Sequence, residues 1–499
     1  MRKTLLAAAC AALLLLPASI AQGAELLYWN NFDDDTVAFA DIGGGGGGPL
    51  SLGEVKIDGP EGLAFDSATG RLFVASEDGG VTDDGQIVTV NVDGSGAAVF
   101  SAPGAPVDGP HGIAIDPVAR LAYWINSGAE SISWARLDGS AGGTLNTTGA
   151  TVERPFRIGF DPVAGRIYWV NAGEEGDDSI SFANVNNSGG GDLNLDGATR
   201  TEGMRALTVD PAGGRIYWIV SEEGISFANL NGSGGGDLNL GGADFIEPFG
   251  LAFDPSIGRF YWGSVSNGRT GTFSFANLAG GEGGIDVATA PVAEAQDPVI
   301  LKSPSGTAVP AIARAAELRT ALSCSQGTWA PDFAGSNVYR APNRFAYQWL
   351  RDGQPVPGAT ASKFTATDPG SYTCAVTASN QAGSATQTSA ATALTGVTLK
   401  LTVKRKVKAK PGKVARLKLT IENLGDLVSR SDRLCVKVGK QGKALKAPRC
   451  KLLGVIPGGA TRTDTVGLRV RAGASGTYRV KLIVKGAPAQ AVTAKILVR

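Results

Sequence analysis

The sequence predicts an all-β chain, a six-bladed β-propeller followed by two β-sandwich domains. Three observations predict it. A repeat of 44–50 residues runs through the first three-fifths of the chain, a Cys…Trp…Tyr-x-Cys frame follows, and the last hundred residues alternate apolar with polar. At 499 residues the chain is too long for one core, and 43% apolar against 18% charged residues excludes wholesale disorder. Seventy glycines supply many tight turns. The lone histidine, His111, excludes multi-His metal sites and His relays.

The chain opens with Arg2 and Lys3, an apolar run from Leu5 to Leu16, and small residues around Ala21 and Gly23. That pattern predicts a signal peptide over 1–23. No later stretch reaches the ~18 apolar residues of a spanning helix, so an extracellular chain without a transmembrane segment is expected. Cys10 falls in the leader, leaving Cys324, Cys374, Cys435 and Cys450. Three pairings are open to four cysteines. Module boundaries favour Cys324–Cys374 and Cys435–Cys450, each closing a loop inside one module.

The formal net charge is zero, but the charges are segregated. Residues 25–299 hold 12 Lys+Arg against 38 Asp+Glu, whereas residues 396–499 hold 25 against 4. An acidic body is thus joined to a strongly basic end, which bears on partners, not on fold.

Within the body, Gly62-Leu63-Ala64-Phe65-Asp66 recurs as segments ending at Asp116, Asp161, Asp210 and Asp254. Eight residues beyond each Asp stands Val74, Trp124, Trp169, Trp218 or Trp262, and Trp29 continues the series backwards. Each unit reads as four short strands, A to D. Strand A ends at the Asp, an Asp-Pro-x-x-Gly turn follows, and Arg-Ile-Tyr-Trp-Val and Ile-Ser-Phe-Ala-Asn form strands B and C. Such a unit cannot cover both faces of its sheet alone, and radial stacking solves this. The first unit starts at strand B, Leu26 to Trp29, so the residues near 298–302 are expected to supply its missing strand A and close a propeller spanning 24–303.

The Asp-Pro to Tyr-Trp segments Asp161–Trp169, Asp210–Trp218 and Asp254–Trp262 resemble the YWTD repeats, the class B repeats of low-density-lipoprotein receptors. The resemblance implies a six-bladed propeller. The Thr-Asp of that family is replaced here by pairs such as Ile125-Asn126 and Val170-Asn171. Five residues before each repeated Asp stand Glu61, His111, Phe156, Arg205 and Phe249, with Arg157 beside one of them. A ring position that is structurally repeated yet chemically diverse suits ligand recognition at the channel mouth. The same face carries an acidic rim (Asp33–Asp35, Glu77-Asp78, Asp83-Asp84, Glu130, Glu174–Asp178 and Glu222-Glu223), a weak candidate for calcium or a basic partner. No catalytic residue and no resident cofactor or metal is expected.

Residues 304–395 resemble a bacterial immunoglobulin-like domain through Cys324, Trp349 and Asp368-Pro369-Gly370-Ser371-Tyr372-Thr373-Cys374, with 327–344 as an insert. Residues 396–499 alternate with period two, as in Leu399–Lys404 and Tyr478–Val484, and are similar to cell-adhesion-related sandwich domains of the CARDB type. The reading is an exported, cell-surface or secreted adhesion protein that binds without catalysis. A protein or glycan ligand is expected on the propeller, and an anionic envelope polymer on the basic end. Nucleic acid is disfavoured by export and by the few aromatics among the basic residues. The competing class is a propeller hydrolase or lyase of gluconolactonase type, for which Glu61 and His111, with Asn126 and Asn171, are the candidate residues.

Overall fold

A computed structural model describes residues 25–499 except 44, 80–83, 174–177, 267–269, 288–289, 440–441, 487 and 489–490. The expected leader lies outside the described residues. So do Asp83, Glu174, Glu175 and Asp177 of the acidic rim. Among the described residues no helix is long and apolar enough to cross a membrane.

The described strands form six consecutive four-stranded antiparallel blades. In each, Tyr and Trp of strand B are neighbours and therefore project to opposite faces of the sheet. Tyr123 packs with Trp169 of the next blade, Tyr168 with Trp218, Tyr217 with Trp262, and Tyr261 with Trp29. One dipeptide thus fills two inter-blade cores, and the five tryptophans are at most 1% exposed. The repeated aspartates cap the A-to-B turns: Asp116 Oδ1 accepts the N–H groups of Val118 and Ala119 at 2.8 Å, and Asp161 and Asp254 act alike.

The ring closes as expected. Strand Ala295–Lys302 pairs antiparallel with Glu25–Asn31, with Leu26 opposite Leu301 and Tyr28 opposite Val299. The strand starts three residues before the expected 298. The framework hydrogen bonds cross the closure too. Trp124 and Trp169 donate Nε1 to the carbonyls of Pro106 and Thr151, 18 residues back, whereas Trp29 donates to Pro291, 262 residues ahead. Lys302 then pairs with Glu25 at 2.9 Å and with the buried Asp254.

The first compact unit also contains residues 329–344 and 379–385. The segment read as an insert of the second module therefore belongs with the propeller. Its strand Val338–Tyr339 adds in parallel to Ala295–Lys302, and Tyr339 packs edge-on against Phe65 at 5.0 Å. Its 3-10 turn Ala334–Ser336 meets the inner strands of blades 4, 5 and 6 at their Asp ends, where Ser336 Oγ donates to the Val209 carbonyl at 2.6 Å. The channel end opposite the expected site is plugged.

In the second unit, sheets of Ala321–Cys324 with its neighbours and of Arg344–Arg351 with Gly370–Asn380 enclose Trp349, Tyr372 and the Cys324–Cys374 disulfide. Tyr372 donates its hydroxyl to the Asp368 carbonyl at 2.8 Å. The last hundred residues stack a four-stranded sheet on a five-stranded one over a core of Leu, Ile and Val. Cys435–Cys450 closes a loop within them, so both expected disulfides form. The buried Asp426 joins these two modules, accepting from Thr395 and lying 3.5–3.6 Å from Arg314 and Arg319.

Candidate functional site

Inner strands begin at Asp58, Pro110, Pro155, Met204, Pro248 and Ala295, on the face opposite the plug. Just after each start the pairing with strand B slips by a bulge. A bulge re-aims the extra residue out of the ladder. In blades 2 to 5 the diverse ring position is left unpaired by it, whereas Phe249 of blade 6 (opposite Gly263) and Gln296 of blade 1 (opposite Asn30) stay paired beside the slip. Glu61, His111, Phe156, Arg205 and Phe249 consequently converge on one cavity of about 550 Å³, which Arg157 also lines. The size suits a small ligand or a protruding group of a larger one.

Sequence reasoning missed Gln296, Arg154 and Glu294 among the further lining residues, and placed Asp178 in the acidic rim rather than in the cavity. Gln296 is the ring residue of blade 1. Its strand has eight residues where those of blades 3 to 6 have seven, so counting back from the end misplaces it. Arg154 and Glu294 precede their strands, at a position that is left-handed in all six blades. Gly59, Gly109 and Gly203 occupy it in three blades, and Arg154 (φ 40°), Glu247 (φ 40°) and Glu294 (φ 49°) in the others. A bulky residue kept where glycine fits at no cost marks a position held for its side chain. Lining up the Gly-Pro, Arg-Pro and Glu-Pro pairs one residue before the ring would have exposed this column.

Arg157 forms the floor. It is 5% exposed and reaches from blade 4 to three others. Nη1 donates to Glu61 Oε2 at 2.6 Å, Nη2 to Gln296 Oε1, and Nε to the Arg205 carbonyl at 3.0 Å. Asp297 lies 4.0 Å from Nε. Burial pushes the Asp297 carboxyl up to about 6, opposed by Arg157 and reinforced by Glu61. Burial also raises Glu294, with Asp33 and Glu61 adding to it.

On the wall, His111 Nε2 stands 3.0 Å from Glu77 Oε1, while its Nδ1 is buried without a hydrogen bond among the described residues. The His111 contact holds the Glu77 carboxyl below its ordinary range. Asp178 is saturated by backbone, accepting from Met204 N at 2.7 Å and Gly173 N at 3.2 Å. By contrast, among the described residues the guanidiniums of Arg154 and Arg205 have no ion-pair or hydrogen-bond partner. Arg205 lies 5.8 Å over the Phe249 ring. The body's other arginines are mostly spoken for: Arg166, Arg215 and Arg259 stack on Phe182, Phe227 and Phe275, Arg120 pairs with Asp66, and Arg71 and Arg200 bond backbone carbonyls. The unspent capacity of the cavity is therefore mainly donor N–H, beside the half-buried rings of Phe156 and Phe249.

Asn126 and Asn171, candidates under the hydrolase reading, are corrected to framework. Both are buried, each accepts a backbone N–H from 18 residues back (Asp108 and Glu153) and each donates to Ser133 or Ser181 at 2.9 Å. Two rim acids are braces as well: Asp35 accepts from Gly59 N and Glu130 from Arg154 N, each 24 residues ahead. Among the described residues no three His, Cys, Asp or Glu side chains are grouped to hold a metal ion.

No family model matches the chain, and no curated protein matches it in sequence. Among solved structures, the chain is similar to a chain of the nidogen/laminin complex at 18% identity, over 55% of this chain and 98% of that one, with a TM-score of 0.43. It is similar to TolB from Acinetobacter baumannii at 13% identity, over 56% of this chain and 66% of that one, with a TM-score of 0.39. A third likeness is to hydrazine synthase of Kuenenia stuttgartiensis at 12% identity, over 55% of this chain and 75% of that one, with a TM-score of 0.33. At these identities no function passes from any of them to this chain.

Proposed function

We propose that this chain is an exported, non-enzymatic binding and attachment protein. Its propeller cavity takes an anionic, acceptor-rich ligand of sugar size, such as an acidic saccharide unit, and its basic C-terminal module attaches to an anionic envelope polymer. The observation that carries the propeller reading is the pair of guanidiniums without an ion-pair or hydrogen-bond partner among the described residues, Arg154 and Arg205, at the mouth of a cavity in an otherwise acidic body. Guanidinium forks match carboxylates and phosphates, and Phe156 and Phe249 offer faces for an apolar ring surface. Glu61, the carboxylate nearest the floor, is committed to Arg157 and so is poorly placed to abstract a proton.

Calorimetry of the full chain with glucuronate disaccharides and their neutral glucose counterparts tests this. The acidic ligand binds, the neutral one binds at least ~10-fold more weakly, and Arg154→Ala with Arg205→Ala removes the preference without lowering Tm. Equal affinity for both sugars, or a preference that survives the double substitution, overturns the assignment. The one observation favouring a hydrolase is the His111–Glu77 pair on the cavity wall. Turnover of a lactone or ester panel that vanishes in His111→Ala would replace the binding reading.

A further inference from the structure

The two outer faces of the C-terminal sandwich differ in a way its net charge does not disclose. On the five-stranded sheet, Lys406 of strand Lys406–Ala409, Lys495 of Val492–Val498 and Arg479 of Gly476–Lys485 stand directly opposite one another across three strands. One row along, Lys437 faces Lys481, and at the far end Arg433 faces Lys485. All seven are exposed. Among the described residues no carboxylate belongs to these strands. The four Asp and Glu of residues 396–499 are spent elsewhere: Glu422 and Asp464 on Lys400 and Lys451, Asp426 on Thr395 and two arginines, and Asp432 buried against Ser429.

The four-stranded sheet solves the same outward problem differently. There Lys400 faces Glu422, Thr402 faces Thr420, Thr420 faces Thr463, and Lys418 faces Thr465; one like-charge pair, Lys446 opposite Arg469, stands at its edge. Like charges directly opposite on neighbouring strands destabilise a sheet, and threonine is a good strand residue that keeps a face soluble. Solubility therefore does not account for the cationic rows. They carry a cost that an anionic partner would remove.

We infer that the outer face of the five-stranded sheet is the docking surface for a linear phosphate-backbone polymer. This rests on the reading of the basic module as the attachment unit and names the surface and chemistry it uses. Charges about 4.8 Å apart across strands and about 6.8 Å apart along them form a flat lattice on which a flexible polyanion can keep several contacts at once. Five of the seven cations are lysines, point charges that hold phosphate without the planar fork that selects carboxylates. Of the apolar side chains on this face, Ile483 and Leu497 are half-buried and Leu452, opposite Arg433 at the edge, is exposed; a single exposed leucine and no exposed aromatic give little to enter a bilayer.

The test uses the full chain and inorganic polyphosphate of defined length, titrated at several salt concentrations. Two variants remove equal charge: Lys406→Gln/Lys495→Gln/Arg479→Gln on the five-stranded sheet, and Lys400→Gln/Arg416→Gln/Lys418→Gln on the other. The first set weakens binding ~10-fold or more and lowers the slope of log K against log salt by about 2, while Tm holds or rises because like charges are gone. The second set changes affinity less than ~3-fold. Equal losses from both sets would leave attachment standing and overturn this face. Absence of polyphosphate binding by the unmodified chain would overturn both. Tighter binding to vesicles rich in anionic lipid than to polyphosphate would also overturn the polymer assignment.

Discussion

Arg157 ties the site together because a guanidinium has enough donors for three blades at once, and Asp297 beneath it sets how that charge is felt. Burial, the dominant influence, holds the Asp297 carboxyl at about 6, above its value in an unfolded chain. Ionising it at neutral pH therefore costs folding stability, and that cost disappears as pH falls through 6 towards 4. The same protonation leaves Arg157 with one fewer counter-charge. Affinity for a uronate, which stays ionised throughout, is expected to rise a few-fold between pH 7.5 and 5.5. Glu294 and Asp178, both raised chiefly by burial, act in the same direction, while His111 (held by Glu77), Arg154 and Arg205 also face the cavity. In Asp297→Asn the rise should shrink and neutral-pH affinity should increase. A pH titration of affinity with an unchanged profile in the variant would refute the role given to Asp297.

At the scale of elements, the segment 329–344 decides whether the channel is open at both ends. Gly335 sits where an added Cβ would come within 2.5 Å of the Phe160 carbonyl and 3.0 Å of that of Val209. Gly335→Val should therefore destabilise the propeller by about 1–3 kcal/mol. Hydrogen exchange should quicken in Val338–Tyr339 and in the strand it joins, Ala295–Lys302. An unaltered melt and unaltered exchange would show that the plug is a passive passenger. The bulges are the other decisive elements. In blades 2 to 5 each turns a residue out of its ladder and towards the axis, so chemically unrelated side chains meet on a repeated backbone.

For the whole molecule, closure is the step that joins the two ends of the repeat. Leu301, 2% exposed, lies opposite Leu26, and the Trp29 and Asn31 side chains bond backbone of residues 291 and 293 across the same seam. Leu301→Ala should cost about 2–5 kcal/mol, and its denaturation midpoint should fall with m unchanged, since the ring opens as one cooperative unit. A variant that loses structure only in the first blade, with the others melting as before, would contradict closure as the common restraint.

The repeat, the blade count, the closing strand, both disulfides and five ring positions were legible in the sequence, because each rests on a local rule. Period-two strands, Asp-Pro turns and Tyr-Trp pairs recur at set spacings, and a missing first strand implies a late one. Only the tertiary structure decided the rest. The lengthened strand of blade 1 shifts the count and hides Gln296. Arg154 and Glu294 matter through a left-handed backbone that no single residue name announces. Asn126 and Asn171 are exhausted by framework hydrogen bonds. The plug comes from residues beyond the repeat, and which sheet face gathers uncompensated lysines depends on cross-strand register. Local sequence sets what each strand is; which side chains have hydrogen-bonding capacity left over depends on every strand packed around them.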